Sequence, residues 1–407
     1  MQTFTSLEYL KIDVASNFGL DKAKWKDRLA WFDQHEDVLE TLTKKADKPA
    51  LYHAGVQAYR QAKQGKPIGY PISLDATASG LQLLSIMAGC RKSAERCNVV
   101  VPLGSNGEPV DDPERENAYT YVYDRMTAKL NTTSTIGYDP VKQAIMTALY
   151  SSKAVPRDTF GEGTDLLACF YDTMQEVLPG AWSLNEALLG TWQPTALEHS
   201  WVLPDNFHVK VKVKAVSKYH ANFLGNPVEV FITENRPVEE GRSNPANLTH
   251  SLDGMVAREL TNRCMFNVKD NLAVVMALDS AGTSRTREKD QMVLTLWEHY
   301  RKSGFLSTRI LAYLDKHNMG LVSSDVIASM IESFPERPFK ILSIHDCFRV
   351  HPNYGNDLRR QYNQILSDLT RSNILKFCVE QIVGHPVTVQ KDKCFANEVL
   401  NAEYTLS

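Results

Sequence analysis

A mostly helical α+β fold is the class this sequence predicts, on three observations. Long stretches carry apolar residues at helical spacing: Leu7, Leu10 and Val14, then Leu51 to Ala62, then Thr286 to Phe334, where Ser323 or Ser324 is the expected cap of SSDVIASMIESF. Short apolar runs of strand length stand between them, at Tyr70 to Leu74 and Ile341 to Ile344. The third observation is the strict alternation of VKVKVKAV from Val209 to Val216. It places Lys210, Lys212 and Lys214 on one strand face and valines on the other. A turn at Gly225 and Asn226 leads back through VEVFIT, so a β-hairpin over 209–233 with one lysine-rich face is expected.

At 407 residues the chain exceeds the size at which one core usually keeps growing, so two or three lobes around a cleft are expected. The hydrophobic (43%) and charged (23%) fractions are those of an ordinary globular protein. No run approaches the roughly 18 apolar residues of a membrane span, and MQTFTSLEYL is not a signal peptide. Seven cysteines (Cys90, Cys97, Cys169, Cys264, Cys347, Cys378, Cys394) form no CxxC pair and have no His at ligand spacing, which reads as reduced thiols in a cytoplasm. The formal net charge of -3 leaves no global footprint for nucleic acid, so any such surface is local. Asp111 to Glu116 and Pro237 to Arg242 have the composition of solvated loops. No repeat, low-complexity tract or Gly/Ser linker interrupts the chain.

Four segments carry candidate chemistry. In PISLDATASGLQLLSIM a short strand ends at Asp75, a Ser-Gly turn follows, and a helical pattern resumes at Leu81. In FKILSIHDCFRVHP the apolar run Ile341, Leu342, Ile344 delivers His345 and Asp346 at a tight turn before the pattern resumes at Val350. A carboxylate embedded between buried strands needs a hydrogen-bond partner or a cation. In DPVKQAIMTALYSS, Asp139 is the expected cap, Pro140 lies in the first turn, and Val141, Ala144, Ile145, Ala148 and Leu149 form a buried stripe. Lys142 and Tyr150 then stand roughly 12 Å apart along the axis, comparable to a nucleoside triphosphate. That spacing suits an ammonium on phosphates and a ring at the sugar and base. In SNPANLTHSLDG a Pro-containing turn enters a helix bearing His250 and Asp253.

Singly, each segment has an ordinary structural reading: a helix cap, a turn aspartate, a snorkelling lysine, a satisfied histidine. Together, two distant strand-borne carboxylates and a Lys/Tyr helix are what metal-assisted phosphoryl transfer requires. Two cations about 3.5 to 4 Å apart activate a hydroxyl and neutralise a leaving pyrophosphate. No GxxxxGK[ST] motif is present, which argues against a P-loop NTPase.

On these residues the sequence resembles the single-subunit RNA polymerase family of phages and mitochondria. DATASGLQ, Asp75 to Gln82, looks like motif A; Lys142 with Tyr150 looks like motif B; IHDCF looks like motif C, where related DNA polymerases carry HDE; NLTHSLDG resembles the segment whose histidine lies near the nascent base pair. WVLPDNFHVKVKVKAV to VFITEN looks like the region of the specificity hairpin, and LEYLKID and HAGVQAYRQ to PISLD resemble the run before motif A. The likeness is closest to the larger subunit of the two-subunit RNA polymerase II of N4-like phages. It implies a right-hand palm and fingers: 1–90 palm with preceding helices, 91–254 fingers with the hairpin at 201–235, 255–338 a helical region, 339–407 palm and C-terminal part. By this resemblance Asp75, Asp346 and the Ala76 carbonyl hold two Mg²⁺ ions, Lys142 contacts the triphosphate, Tyr150 selects ribose, and His250 contacts the ribose or minor groove. Lys210, Lys212 and Lys214 become candidate nucleic-acid contacts. The implied activity is DNA-directed RNA polymerase: NMP transfer from NTP to an RNA 3′-hydroxyl on a DNA template, for phage genes in the cytoplasm of an infected bacterium.

Four differences from the family pattern qualify that picture. Tyr138 stands where the family has a phosphate-binding arginine, and Ser151 stands where it has glycine. The segment with His250 and motif C are also much further apart than usual. The amino-terminal domain, thumb and DxRGR strand of the family are not found, so a second subunit that supplies them is expected, along with a recruiting factor that binds single-stranded DNA. A family-A-like DNA polymerase or primase, or a non-catalytic nucleic-acid-binding subunit, are the alternatives. Use of dNTPs would mark the first, and absence of any metal-dependent extension the second.

Overall fold

The computed structural model describes residues 1–130, 136–392 and 395–407. Helices dominate, as periodicity predicts. The first, Ser6–Ala15, opens on a capping box in which the Glu8 N–H donates to Thr5 Oγ1 at 3.3 Å and the Thr5 N–H donates to the Glu8 carboxylate at 2.7 Å. It buries Tyr9, Leu10, Ile12 and Val14 against helix Pro49–Lys63. Leu7, expected on the same face, is 39% exposed.

Seven strands are described: β1 (Ile72–Asp75), β2 (Glu198–Val202), β3 (His208–Lys212), β4 (Ala215–Phe223), β5 (Asn226–Glu234), β6 (Ile341–Ile344) and β7 (Cys347–Val350). The main sheet is antiparallel in the order β1-β7-β6. Ile72, Leu74, Phe348 and Val350 are buried on its inner face. Ser73, Asp75, Cys347 and Arg349 take the other face by the two-residue period. Of the apolar run before His345 only Ile341 is buried; Leu342 and Ile344, expected inside, are 58% and 62% exposed on β6. No strand among the described residues pairs with the outer edge of β6.

The expected hairpin over 209–233 is divided between two ladders. β3 pairs with β2, while β4 and β5 form their own ribbon, with Phe223 opposite Asn226 at its turn. The reason lies between them: Val213 and Ala215 are buried, and the Val213 N–H donates to the Leu197 carbonyl at 2.9 Å. That anchor ends one ladder before the next begins. The alternation itself is retained, with Lys210, Lys212 and Lys214 exposed.

One cap and one turn differ from expectation, and one cap is kept without its hydrogen bond. Gly137, not Asp139, precedes helix Tyr138–Ala148, and Asp139 lies in its first turn. Ser323 does sit before helix Ser324–Glu332, but its side chain makes no capping hydrogen bond. Ser79 and Gly80 are the first turn of helix Ser79–Ala88 rather than a separate turn.

One large core joins the residues up to Cys264 with those from Phe339 onward and takes in Phe305 from between them. The stretch between them has a separate core around Val274, Val293, Leu296, Ile310, Met319 and Ile327. At its base the Phe339 N–H donates to the Cys264 carbonyl at 2.8 Å, so the chain leaves and returns at one point. The cysteines at 90, 97, 169, 264, 347 and 378 are free; Cys394 lies outside the described residues. No helix among the described residues is long and apolar enough to cross a membrane.

Asp13 fastens β1 to this core. Its carboxylate accepts from the Ser73 N–H (2.8 Å), the Tyr70 hydroxyl (2.6 Å) and Asn17 Nδ2 (2.9 Å). Burial nonetheless pushes its pKa up to about 6, above the ordinary carboxylate range. A folded-state value above the unfolded one means the native state holds the proton more tightly, so stability from this group is present below pH 4 and lost as pH rises through 6. Relative to Asp13→Asn, the wild type is therefore expected to gain up to about 3 kcal/mol as pH falls from 7 to 4. Denaturant midpoints of both proteins across that range check this; parallel profiles would refute it.

Candidate active site

The β1–β7 ladder brings two sequence-distant carboxylates together. Asp75 ends β1 opposite Cys347, the residue after Asp346. The Ala76 N–H donates to the Asp346 carbonyl at 3.0 Å, closing the ladder at the strand end. Asp346 sits in the two-residue turn between β6 and β7, where His345 adopts the left-handed φ of 58°. His345 Nδ1 lies 2.9 Å from Asp346 Oδ1, and that pairing raises the imidazole pKa. Asp75 is flanked on its other side by the chain's last described residues: its N–H donates to the Ser407 carbonyl (3.3 Å) and its carbonyl accepts from the Ser407 N–H (2.9 Å).

Asp75 Oδ1 is buried and has no hydrogen-bond partner among the described residues. The Cys347 thiol beside it is pushed up to about 12, first by burial, then by a hydrogen bond to the Asp75 carboxylate and by that carboxylate's charge. A buried carboxylate oxygen left without a donor is costly. Two carboxylates at neighbouring ladder positions are hard oxygen donors that suit a divalent cation. No group of three or more His, Cys, Asp or Glu with metal-holding geometry occurs among the described residues. A cation here would therefore complete its shell with backbone and water oxygens.

Above the carboxylates lie the residues of two helices. Tyr150 stands just beyond the end of helix Tyr138–Ala148, in the turn that closes it rather than on the helix. Its ring stacks on His250 of helix Ser243–Cys264 with centroids 4.7 Å apart and planes 4° from parallel. Gly80 makes room for it: a Cβ at that position would fall 2.3 Å from the Tyr150 hydroxyl. Burial pushes the Tyr150 phenol up to about 12, with Asp253 and Asp346 adding to the effect. It is therefore a neutral hydroxyl at physiological pH. Asp253, one turn beyond His250, is itself raised by burial and then by Asp346, and Ser79 hydrogen-bonds to it.

Lys142 lies on the same helix as Tyr138, with its Nζ 5.9 Å from the Tyr119 ring centroid. Tyr119 is raised by burial and then by Tyr150 and Asp346, so it lies near both of them as well as near the lysine. At Tyr138 the hydroxyl accepts from Thr120 Oγ1 at 3.3 Å, and Lys22 Nζ lies 5.9 Å from the ring centroid. A cation thus stands beside the position where an arginine was expected.

The structure accordingly gathers Asp75, Ala76, Asp346, Tyr150 and His250 in one place, with Lys142 linked to it through Tyr119. No hydrogen bond, ion pair or ring contact among the described residues ties Lys210, Lys212 or Lys214 to this cluster. Sequence reading noted Asp253 without giving it a role, although its three-residue spacing from His250 was a usable signal. Tyr119, Gly80 and Lys22 had none, because only the tertiary fold brings them to the site.

The family model for DNA-dependent RNA polymerase matches residues 3–159, a stretch that contains Asp75, Lys142 and Tyr150 and stops before His250 and Asp346. A probable DNA-directed RNA polymerase of Neurospora crassa is 33% identical over 101 residues, which are 23% of this chain and 11% of that relative. The DNA-directed RNA polymerase of Pseudomonas phage phiKMV is 35% identical over 92 residues, 19% of this chain and 11% of the relative. The match thus spans about a ninth of the length of each of these polymerases.

Proposed function

We propose that this chain is the catalytic subunit of a DNA-directed RNA polymerase, with β1, β6 and β7 as its palm and the helix bearing Lys142 as part of its fingers. The observation that carries this reading is the meeting of Asp75 and Asp346 across the β1–β7 ladder, with a buried Asp75 oxygen that has no donor, beneath the stacked Tyr150 and His250. The match of residues 3–159 to the polymerase family supports it.

The substrates on this reading are NTPs, a DNA template and the RNA transcript. Asp75 and Asp346, with the Ala76 carbonyl, would hold two Mg²⁺ ions, which when bound lower the pKa of the transcript 3′-hydroxyl and neutralise the departing pyrophosphate. The Lys142 ammonium neutralises the triphosphate, and Lys22 beside Tyr138 supplies the second cation that an arginine gives elsewhere in the family. The Tyr150 ring bounds the base, and its hydroxyl, kept protonated by burial, reads the ribose 2′-hydroxyl. His250 holds that ring flat and borders the sugar. The lysine-rich face of β3 remains a candidate nucleic-acid surface of lesser weight.

A second subunit belongs to this reading. Leu342 and Ile344 are exposed on the unpaired β6 edge, and the β4–β5 ribbon exposes Tyr219, Phe223, Val228, Val230 and Ile232. By the strand register those five share one face of a two-stranded ribbon, an arrangement barely stable without a cover. With a net charge of -3 the chain binds duplex weakly by itself, which favours recruitment by a factor on single-stranded template.

Magnesium-dependent extension of an RNA primer by the wild type is expected, with a loss of at least about a thousandfold in Asp346→Asn or Asp75→Asn; equal activity in wild type and variants would remove the metal-pair reading. Tyr150→Phe is expected to keep extension but to narrow rNTP over dNTP preference by about tenfold or more, and an unchanged ratio would count against its role. Affinity purification from the native host is expected to bring a second polypeptide in a fixed ratio. A monodisperse, fully active single chain would rule that subunit out.

A further inference from the structure

The turn that carries Tyr150 is built on a residue poorly suited to it. The Ser151 N–H donates to the Ala148 carbonyl at 2.9 Å and the Ser152 N–H to the Thr147 carbonyl at 3.0 Å. This pair of bonds is a Schellman closure, in which Tyr150 is the last half-helical residue and Ser151 occupies the left-handed position. Its φ is 65°. Glycine takes that conformation freely, whereas a side chain meets its own backbone there. The conformation persists only where surrounding structure enforces it.

Asn185 enforces it from helix Pro179–Leu189. Its Oδ1 accepts from Ser151 Oγ at 2.7 Å, and its Nδ2 donates to the Ala148 carbonyl at 3.0 Å. Both groups of the amide are thereby used on the two ends of one turn. Asn185 is 2% exposed and Ser151 5%, so water does not compete for either bond. The same Ala148 carbonyl accepts from the Ser151 N–H, which makes it the common anchor of turn and clamp. Arg242 adds a long contact, 3.5 Å from Nη1 to the Ser151 carbonyl.

We infer that Asn185 is a positioning residue for nucleotide selection: by clamping Ser151 in the left-handed turn it fixes where the Tyr150 ring and hydroxyl stand over Gly80 and against His250. Asn185 touches no reacting group; it acts through Ser151 on the residue that does. The serine and the asparagine form a matched pair, in which the hydroxyl makes the clamp possible and the clamp makes a non-glycine residue tolerable. This inference rests on the reading of Tyr150 as the sugar-selecting residue.

The test uses the full chain with any co-purifying subunit, in primer extension with rNTPs and dNTPs in parallel. Asn185→Ala is expected to lower rNTP over dNTP discrimination by about tenfold, the worth of one to two buried hydrogen bonds. The double variant Asn185→Ala/Ser151→Gly is expected to regain most of it, since glycine holds the turn without support. A purely structural role for Asn185 would not be repaired by removing a second side chain. Should Asn185→Ala fail to fold, Ser151→Ala removes only the 2.7 Å bond and is expected to fall partway. 3-Fluorotyrosine at position 150 gives an independent reading: its fluorine resonance is expected to shift in Asn185→Ala and return in the double variant. Unchanged discrimination and resonance in Asn185→Ala, or a loss that Ser151→Gly does not repair, would overturn the clamp. If the resonance follows the clamp while neither Tyr150→Phe nor Asn185→Ala alters sugar choice, the clamp stands and the sugar-reading role of Tyr150 falls.

Discussion

The register between β1 and β7 is the constraint on which the rest of the site depends. Ile72 faces Val350 and Leu74 faces Phe348 in the core, and that pairing alone places Asp75 beside Cys347 at the open end. A slip of one residue would turn Asp75 and Ser73 inward and Leu74 out, exchanging a buried leucine for a buried charge. Hydrophobic burial thus sets the position of the carboxylates, although it touches neither of them. The short length of both strands makes the core contacts of these few side chains decisive.

Buried polar residues then hold the ladder to the remainder of the chain. Gln82, fully buried in the helix after β1, donates to Thr77 Oγ1 (3.1 Å), the Cys97 carbonyl (3.2 Å) and the Thr405 carbonyl (3.0 Å), and accepts from the Tyr362 hydroxyl (2.8 Å). Three segments distant in sequence, at Cys97, Tyr362 and Thr405, meet on one amide beside Thr77. With its two N–H hydrogens shared among three acceptors and its carbonyl taken by Tyr362 in a dry interior, the side chain is fully satisfied only in this arrangement. Asp13 does the same for the start of β1. The site is rigid on the carboxylate side for these reasons. On the Tyr150 side it hangs on one turn at the end of one helix, which is why the amide of Asn185 matters there.

Much of this was legible in the sequence, and the parts that were not share a cause. The strands ending at Asp75 and leading to Asp346 could be read from apolar runs, and the helix of Lys142 from its stripe of Val141, Ala144, Ile145 and Ala148, all buried. Such patterns are local, and local periodicity reports which face is inside. The alternation through Lys210, Lys212 and Lys214 was equally visible, yet its strand partner was misassigned. Period two fixes a face and says nothing about which neighbour supplies the ladder. Tyr119, Gly80 and Asn185 came into view only with the fold, since each acts through a residue many positions away.

The interval between His250 and Asp346 is long, and the geometry at its base keeps the two at one site. Cys264 and Phe339 are joined by a backbone hydrogen bond, so the helices between them project as an excursion whose ends coincide. Its own core lets it grow without disturbing the larger one. Loop closure costs rise only slowly with length, so a folded insertion at one closed point is far cheaper than an extension within the sheet. Glu259 ties it back to the His250 helix: its buried carboxylate accepts from the Thr308 N–H at 3.0 Å and from the Thr308 hydroxyl at 2.6 Å, as well as from Ser307. Burial raises the Glu259 pKa while these donors hold it down, so the carboxylate is tolerable only with the excursion in place. The insertion is thereby coupled to the helix that positions His250 and Asp253.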